Sequence, residues 1–258
     1  MIHLNQVNFI REDRHILNDI NLHIREGEHW VVLGKNGSGK TTILEMINGY
    51  LFPSSGTVDV LGHRYGTVDV RQMRRKIGYI SPSLYDKLSP ADPVWEVVAT
   101  GEFAYLRFYE RIPDEVIAKA REMLRRVKLD RVQNQPLGTL SQGERKKVML
   151  ARALMLEPSL LIMDEPCAGL DLFEREKLLA DIQELSGRNI SIMYVTHHIE
   201  EIIPLFTHVA LLHEGRLIAA GKKEQVLTPE RLAEAYQVPL VIDWFNDRPW
   251  IKVLPAHD

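Results

Sequence analysis

The chain has 258 residues, of which 45% are hydrophobic and 26% charged, as in an ordinary globular protein that buries a sizeable core. Its formal net charge of −3 gives no general field that attracts nucleic acid, so no direct nucleic-acid partner is expected and any anion site must be local. A single cysteine, Cys167, excludes an intramolecular disulfide and is typical of a reducing compartment.

The sequence predicts neither a signal peptide nor a membrane span. Residues 1–7 contain no basic segment followed by an apolar run. The apolar runs at 30–33 and 160–163 are far shorter than the roughly 18 residues that span a bilayer. If the protein works at a membrane, we therefore expect another chain to cross it.

The N-terminal region predicts antiparallel strands followed by a nucleotide-binding unit. Between residues 2 and 24, apolar and polar side chains alternate, as in strands with one buried face. Residues 29–33 form a continuous apolar run, which indicates a strand covered on both faces. A glycine-rich loop follows, and residues 41–48 have helical spacing. Strand, glycine-rich loop and helix, in this order, are typical of the start of an α/β nucleotide-binding unit.

Helical patterns dominate residues 83–148 and indicate an inserted helical lobe, with its clearest helices at 94–100 and 114–127. Beyond it, short apolar strands at 160–163 and 190–195 are separated by a helix at 173–186, which is typical of a parallel sheet. Segments 209–212 and 217–220 flank Glu214 and Gly215, which predicts a hairpin. A short helix is expected around 229–236, followed by an extended end.

Residues 34–41 have the sequence GKNGSGKT, which matches the phosphate-binding pattern G-x-x-x-x-G-K-[ST]. Glycines let backbone N–H groups converge on phosphate oxygens, and the following helix N-terminus adds partial positive charge. Lys40 is placed to reach the β- and γ-phosphates, and the Thr41 hydroxyl to bind Mg²⁺. The strand before the loop and the helix after it disfavour the alternative of a flexible turn. The predicted nucleotide-binding residues of this loop are Gly34, Lys35, Asn36, Gly37, Ser38, Gly39, Lys40, Thr41 and Thr42.

Two acids, Asp164 and Glu165, follow the apolar segment 160–163. An acid at the carboxyl end of a buried strand lies at the edge where open α/β sheets bind ligands. Asp164 is suited to hold the water shell of Mg²⁺, and Glu165 to polarise an attacking water. Alone, such acids would be interpreted as structural, but the phosphate-binding loop in the same chain favours the catalytic interpretation.

Residues 140–144, Leu-Ser-Gln-Gly-Glu, begin a helix. Ser141 and Glu144 have capping-box spacing, and a plain helix cap is the simpler interpretation. The functional interpretation is that the Ser141 hydroxyl, the Gly143 amide and the helix N-terminus form a second surface that faces phosphate. The residues of this predicted surface are Ser141, Gln142, Gly143 and Glu144.

The order of these motifs resembles the nucleotide-binding domain of ABC ATPases. Along the chain come a P-loop, a helical lobe, the segment Leu-Ser-x-Gly-x, an apolar strand ending in Asp-Glu, and a strand ending in Thr196-His197. The resemblance covers nearly the whole chain. The resemblance implies an α/β fold with a RecA-like P-loop core, an antiparallel β-subdomain and an inserted α-helical subdomain. Within one ABC ATPase domain over 1–258, it assigns 1–82 and 149–221 to the core with the β-subdomain, 83–148 to the helical subdomain, and 222–258 to a C-terminal extension.

The resemblance also implies hydrolysis of ATP with Mg²⁺ by a head-to-tail dimer, with itself or a paralogue, that closes on two ATPs. Each ATP would lie between the P-loop of one subunit and segment 140–144 of the other. By the same resemblance Glu165 is the general base, His197 contacts the γ-phosphate, and Asp171 belongs to the loop that links the two sites across the dimer. For His197 alone, a capped strand-end histidine is the alternative.

Two positions depart from the family pattern. The glutamine that usually contacts Mg²⁺ and the attacking water corresponds to Pro82, which has neither a side-chain donor nor an N–H. Either Ser81 or Ser83 acts in its place through water, or the protein couples ATP to its partner in a specialised way. The aromatic residue that stacks on adenine corresponds to Arg11, whose guanidinium can also stack on a base. An exposed loop arginine is the alternative.

The expected function is the ATPase motor of an ABC transporter, peripheral on the inner face of the cell membrane and bound to a separate permease. Residues 226–239 are similar to the C-terminal ends of ATPases from iron-chelate, vitamin B12 and molybdate-type importers. The main rival is a soluble ABC protein that acts on the ribosome, nucleic acid or a regulatory partner. Such relatives usually carry two ATPase domains or a long coiled coil, which are not seen here. A P-loop kinase is a second rival, and segment 140–144 argues against it.

Overall fold

The computed structural model describes residues 1–187 and 189–255. They divide into two compact units, one formed by residues 1–73 with the described part of 191–258, the other by the described part of 74–190. Among the described residues, no helix combines the length and the apolar composition that a bilayer crossing requires. The finer division expected at residues 82/83, 148/149 and 221/222 stays a prediction.

The N-terminal part of the first unit is an antiparallel sheet next to a strand–loop–helix segment. β1 pairs with both β2 and β4, and this gives the strand order β2-β1-β4-β5. Leu4 lies opposite Leu22 and Val7 opposite Ile20, and all four side chains are buried. This confirms the predicted antiparallel strands. The elements are β1 (Ile2–Arg11), β2 (Arg14–Ile24), β3 (Trp30–Leu33), α1 (Lys40–Ile47), β4 (Ser55–Val60), β5 (His63–Arg64) and, at the unit boundary, α2 (Val70–Arg74).

The second unit combines two parallel strands with packed helices. Its elements are β6 (Ile77–Ile80), α3 (Pro82–Tyr85), α4 (Val94–Ala99), α5 (Asp114–Arg126), α6 (Gln142–Leu154), β7 (Leu160–Asp164) and α7 (Leu172–Gln183). Helices α4, α5 and α6 pack on one another through buried apolar side chains. The helices predicted at 94–100 and 114–127 are confirmed. Helix α7 ends at Gln183, before the predicted residue 186, and the chain continues in turns in which the N–H groups of Leu185 and Ser186 donate to carbonyls three residues earlier.

The C-terminal part of the first unit completes a sheet around β3. Its elements are β8 (Ser191–Thr196), β9 (His208–His213), β10 (Arg216–Lys222), α8 (Lys223–Val226), α9 (Pro229–Tyr236), β11 (Leu240–Phe245) and β12 (Arg248–Val253). Strand β3 pairs in parallel with β8 and with β9, and β9 pairs antiparallel with β10. All residues of β3 and β8 are buried, and for β3 this confirms the prediction of a strand covered on both faces.

The register between β3 and β8 places two predicted functional segments at one sheet edge. Leu33 lies opposite Thr196 in the parallel pair. The P-loop begins after Leu33, and His197 follows Thr196. Both segments therefore leave the sheet at the carboxyl ends of neighbouring strands, where open α/β sheets bind ligands.

The end of the chain was expected to be extended, but it forms an antiparallel hairpin of β11 and β12. Asn246 and Asp247 connect the strands with φ values of 48° and 61°. Positive φ at both central residues is characteristic of a type I′ turn, which asparagine and aspartate tolerate. The Asn-Asp pair between two apolar segments was the signal that could have predicted this hairpin.

Candidate active site

The P-loop runs from the end of β3 into α1 and is shaped by its glycines. Gly37 and Gly39 have φ values of +82° and +101°, a region that favours glycine. At Gly34, a Cβ would lie 2.5 Å from the main-chain oxygen of Leu212 in β9. A side chain at position 34 would therefore push the start of the loop away from the sheet.

The N-terminus of α1 is open to a ligand. Gly39 is its N-cap residue and makes no side-chain cap, and the first turn contains no acidic residue. The first N–H groups of a helix lack intrahelical partners and carry partial positive charge. Such an end, directly after a glycine-rich loop, is suited to bind phosphate.

Lys40 and Ser38 place polar atoms inside the loop. The Lys40 ammonium donates to the carbonyl oxygens of Gly34 at 2.7 Å and Lys35 at 3.0 Å, and the residue is 5% exposed. The Ser38 hydroxyl is buried and has no hydrogen-bond partner among the described residues. Buried polar groups are nearly always paired. An unpaired hydroxyl beside a buried ammonium therefore fits a loop that binds a polyanion.

The remaining predicted residues of the loop lie at its surface. Thr41 is exposed in the first turn of α1, and Thr42 is half-buried behind it. Asn36 is exposed at the tip of the loop. The half-buried Lys35 donates from Nζ to Oε1 of Gln237 at 3.4 Å.

His197 lies on a turn that is held from within by a buried carboxylate. Glu201 is 2% exposed and accepts from the hydroxyls of Thr196 at 2.7 Å and Tyr194 at 2.8 Å. The Thr196 oxygen also accepts from the backbone N–H of His198 at 3.0 Å. Because a buried carboxylate needs such donors, these bonds fix the chain on both sides of His197.

Arg11 lies exposed at the end of β1, and its guanidinium carbon is 5.6 Å from the centre of the Phe9 ring. This distance is within the range of a cation–π contact. The arginine at the position predicted to contact adenine therefore lies over an aromatic ring.

In the second unit, β7 ends in the two predicted acids. Asp164 is 8% exposed, and Glu165 is half-buried with a φ of +45°. The Glu165 carbonyl accepts from the N–H of Ala168 at 3.0 Å and so closes a turn. A positive φ in a residue other than glycine costs about 1–3 kcal/mol and is frequent at functional sites.

A cleft of about 210 Å³ in the second unit brings several predicted segments together. Asp164 of β7, Gln142 at the start of α6 and Pro82 of α3 all line it. Ile80 and Met163 are neighbours in the β6–β7 pair, so Pro82 and Asp164 leave the same edge of these strands. The position that departs from the family pattern therefore lies beside the predicted metal-binding acid.

Pro82 occupies the first position of α3. Ser81 is the N-cap of this helix, and its hydroxyl accepts from the N–H of Leu84 at 3.2 Å. Proline is favoured at a first helical position because the N–H there has no intrahelical partner. The hydroxyls of Ser81 and Ser83 are 3.2 Å apart. The structure thus explains why proline is tolerated at position 82.

Segment 140–144 forms the predicted capping box. The Ser141 hydroxyl accepts from the N–H of Glu144 at 3.3 Å, and the Glu144 carboxylate accepts from the N–H of Ser141 at 2.8 Å. A Cβ at Gly143 would lie 2.1 Å from Oε2 of Glu174 in α7. Glycine at this position therefore allows the Glu174 carboxylate to lie against the first turn of α6.

Asp171 caps the next helix. Its Oδ1 accepts from the N–H of Glu174 at 2.9 Å at the start of α7. This bond satisfies an otherwise unpaired donor of the helix. The structure therefore gives Asp171 a local capping role, and its role across a dimer stays a prediction.

No sequence pattern singled out Glu201 or Phe9 as members of the site. The available signal for Glu201 was a pair of acids, Glu200 and Glu201, within the apolar segment 199–206. The pattern does not distinguish the buried acid from its neighbour, because both follow the strand that carries Thr196.

Comparison with known proteins identifies the family. The family model described as ABC transporter matches residues 17–168. A relative from Bacillus subtilis (strain 168), named uncharacterized ABC transporter ATP-binding protein YlmA, is 40% identical over 254 residues, which are 97% of this chain and 96% of its own length.

Two solved structures are also similar. The structure of CbiO1 from Clostridium perfringens, described as part of the ABC transporter complex CbiONQ, has a TM-score of 0.77 and 28% identity and covers 90% of this chain and 92% of its own. The cassette MJ0796, in a dimeric post-hydrolysis state bound to ADP and phosphate, has a TM-score of 0.75 and 27% identity over 86% of this chain and 98% of its own.

These similarities confirm the predicted RecA-like ABC fold and the binding and hydrolysis of ATP. The family model covers more than half of the chain, and the similarity to YlmA extends over nearly all of it. The chain belongs to the ABC transporter family, as an ATP-hydrolysing motor subunit.

Proposed function

We propose that this chain works as one half of a head-to-tail dimer that closes on two ATPs and drives a separate membrane permease. One observation carries the nucleotide part of this proposal. In the P-loop, the uncapped N-terminus of α1, the buried Lys40 ammonium and the unpaired Ser38 hydroxyl all belong to one short segment. The proposals for dimer and permease draw support from MJ0796, which is dimeric, and CbiO1, which is part of a transporter complex.

ATP binding changes the partners of Lys40. In the structure, its ammonium donates to the carbonyls of Gly34 and Lys35. The β- and γ-phosphates are better acceptors for this ammonium than neutral carbonyls, because they carry negative charge and the attraction between opposite charges adds to the hydrogen bond. The backbone N–H groups of the loop and of the first turn of α1 complete the phosphate site.

The residues proposed to hold Mg²⁺ are Thr41, through its hydroxyl, and Asp164, through its carboxylate. Both are hard oxygen donors of the kind that Mg²⁺ prefers. The ion supplies neutralisation of the charge on the β- and γ-phosphate oxygens. Asp164 suits this role because it lies at the end of a buried strand and lines a cleft.

Glu165 acts as the general base that takes a proton from the attacking water, and His197 donates to the γ-phosphate. Residues 141–144 contact the ATP held by the P-loop of the other subunit, and Asp171 links the two sites. The capping box supports this role of segment 141–144, because it holds the helix N-terminus in place. The partner is a second copy or a paralogue, and the dimer lies on the inner face of the cell membrane.

The substitution Glu165→Gln tests the catalytic part of the proposal. It removes the base but keeps the size of the side chain, so we expect hydrolysis to fall by about 10²–10⁴-fold, the usual contribution of general-base catalysis. ATP should still bind, and the variant should accumulate as an ATP-bound dimer in size-exclusion chromatography with light scattering. Glu184→Gln, which changes an exposed acid at the end of α7, is the matched control. Near-normal turnover by Glu165→Gln would remove Glu165 from this role.

A further inference from the structure

The C-terminal segment of the first unit contacts the turn that carries His197. Tyr236, the last residue of α9, donates a hydrogen bond from its hydroxyl to the main-chain oxygen of His197 at 3.0 Å. Burial and, to a lesser extent, the nearby Glu200 carboxylate raise the pKa of Tyr236. The hydroxyl therefore stays protonated and remains a donor over the physiological range.

The hairpin contacts the same turn one step further along the chain. Arg248, the first residue of β12, donates from Nε to the main-chain oxygen of Glu200 at 2.5 Å. Strand β12 packs against the short 3₁₀ helix at Ile199–Glu201. Two separate elements of the extension, α9 and β12, thus bind the backbone of residues 197–200.

The end of α9 also reaches the P-loop. Gln237 follows Tyr236 in a left-handed conformation with φ of +56°, which ends the helix. Its side-chain oxygen accepts from Nζ of Lys35 at 3.4 Å. Neighbouring residues at one helix end therefore contact both nucleotide-binding segments of the first unit.

Within the extension, an ion pair with a buried lysine joins the start of α8 to the hairpin turn. Lys223 is 2% exposed, and its ammonium donates at 2.9 Å both to the carboxylate and to the main-chain oxygen of Asp247 in the hairpin turn. This pair holds α8 and the hairpin turn together.

From these contacts we infer that Tyr236 is a positioning residue for His197. Glu201 holds the turn through the side chains of Thr196 and Tyr194, whereas Tyr236 binds the carbonyl of His197 itself. This bond fixes the peptide plane that follows His197 and so restricts the direction of its imidazole. The inference rests on the proposed contact of His197 with the γ-phosphate.

The substitution Tyr236→Phe removes only the hydroxyl and keeps the packing of the ring. A single hydrogen bond contributes enough to change a rate by about 2- to 10-fold, and we expect a fall of this size in kcat. The KM for ATP should be unchanged, because the P-loop keeps its own contacts. A substitution that lowers kcat alone has removed an interaction made in the transition state. Tyr109→Phe, which removes a hydroxyl from a residue that is 93% exposed, is the matched control.

A double-mutant cycle with His197→Ala separates positioning from a general structural effect. Rates are measured on the full chain by single-turnover hydrolysis of radiolabelled ATP, which also resolves slow variants, and thermal midpoints are recorded for each. If Tyr236 acts through His197, Tyr236→Phe has no further effect in the His197→Ala background.

Three outcomes overturn the inference. If kcat is unchanged in Tyr236→Phe while His197→Ala is impaired, Tyr236 does not position His197, although the proposed role of His197 stands. If Tyr236→Phe lowers the rate equally in both backgrounds, it acts by another route. If His197→Ala hydrolyses ATP normally, the proposed role of His197 fails and the inference fails with it.

Discussion

The C-terminal hairpin is held to the start of α8 by an ion pair that can be weakened without changing the turn of the hairpin. Asp247→Asn removes the charge opposite the Lys223 ammonium but keeps the side-chain oxygen and the main-chain acceptor. Asparagine tolerates the left-handed conformation at this position, where φ is +61°. The substitution therefore tests the charge of the pair and leaves the type I′ turn intact.

The expected loss follows from the burial of the two partners. The Lys223 side chain is 2% exposed, whereas that of Asp247 is 59% exposed, so solvent screens one end of the pair. A hydrogen bond to a charged group contributes about 1.5–3 kcal/mol when well buried. With screening of the carboxylate we expect a loss of about 1–2 kcal/mol in the free energy of unfolding. In a chain of this size that lowers the thermal midpoint by about 2–8 °C.

The same hairpin provides a control. Asp243→Asn breaks the pair of Asp243 with Lys252, whose side chains are 55% and 72% exposed. Exposed pairs contribute about 0–1 kcal/mol, so this variant should stay close to the wild type. Thermal denaturation followed by circular dichroism compares the variants, and limited proteolysis reports release of the hairpin. Equal midpoints for Asp247→Asn and Asp243→Asn would refute the argument that burial of Lys223 makes its pair important.

Three further predictions concern the site and its surroundings. Lys40→Ala should lose affinity for a fluorescent ATP analogue in a titration, because the loop loses its buried cation; wild-type affinity would contradict the proposed phosphate site. Gly34→Ala places a Cβ 2.5 Å from the Leu212 carbonyl, so overpacking should lower the free energy of unfolding by about 1–3 kcal/mol, and an unchanged urea midpoint would count against this close approach. Burial lowers the pKa of His29. As the pH falls, His29 is protonated in the unfolded chain before it is protonated in the folded one, so stability is lost below the unfolded pKa of about 6.5. His29→Gln should reduce this loss. A variant whose thermal midpoint has the same pH profile as the wild type would exclude His29 as the source of the loss.

Sequence patterns predicted those parts of the site that depend on local structure. The strand, the glycine-rich loop and the helix that carry Lys40 are adjacent along the chain, and their geometry follows from glycine conformations and helix termini. The capping box of Ser141 and Glu144 was predicted for the same reason, and the structure confirms it. Such features need no knowledge of distant contacts.

The missed features depend on contacts between distant residues. Tyr236 and His197 are 39 positions apart, and nothing in the sequence of α9 indicates that its last hydroxyl meets that carbonyl. The hairpin was missed because β11 and β12 expose Trp244, Phe245 and Trp250, which obscures the usual alternation of buried and exposed residues. Aromatic side chains on an exposed hairpin leave little periodicity for a sequence pattern to detect.

The departures from the family pattern have local explanations. Pro82 fits the first position of α3, where a missing N–H costs little. Arg11 lies over Phe9, with its guanidinium carbon 5.6 Å from the centre of the ring. The structure therefore explains how both residues are accommodated, and their consequences for turnover and for adenine selectivity stay hypotheses.

The coupling of this ATPase to a membrane permease is the central claim, and affinity capture tests it most directly. Tagged Glu165→Gln would be incubated with ATP and Mg²⁺ in detergent-solubilised membranes of the source cell, and the captured proteins identified by mass spectrometry. The account predicts a protein with several membrane spans in stoichiometric amount with the tagged chain. Recovery of soluble partners alone, or of the ATP-bound dimer alone, would contradict it and favour an ABC ATPase that acts outside transport.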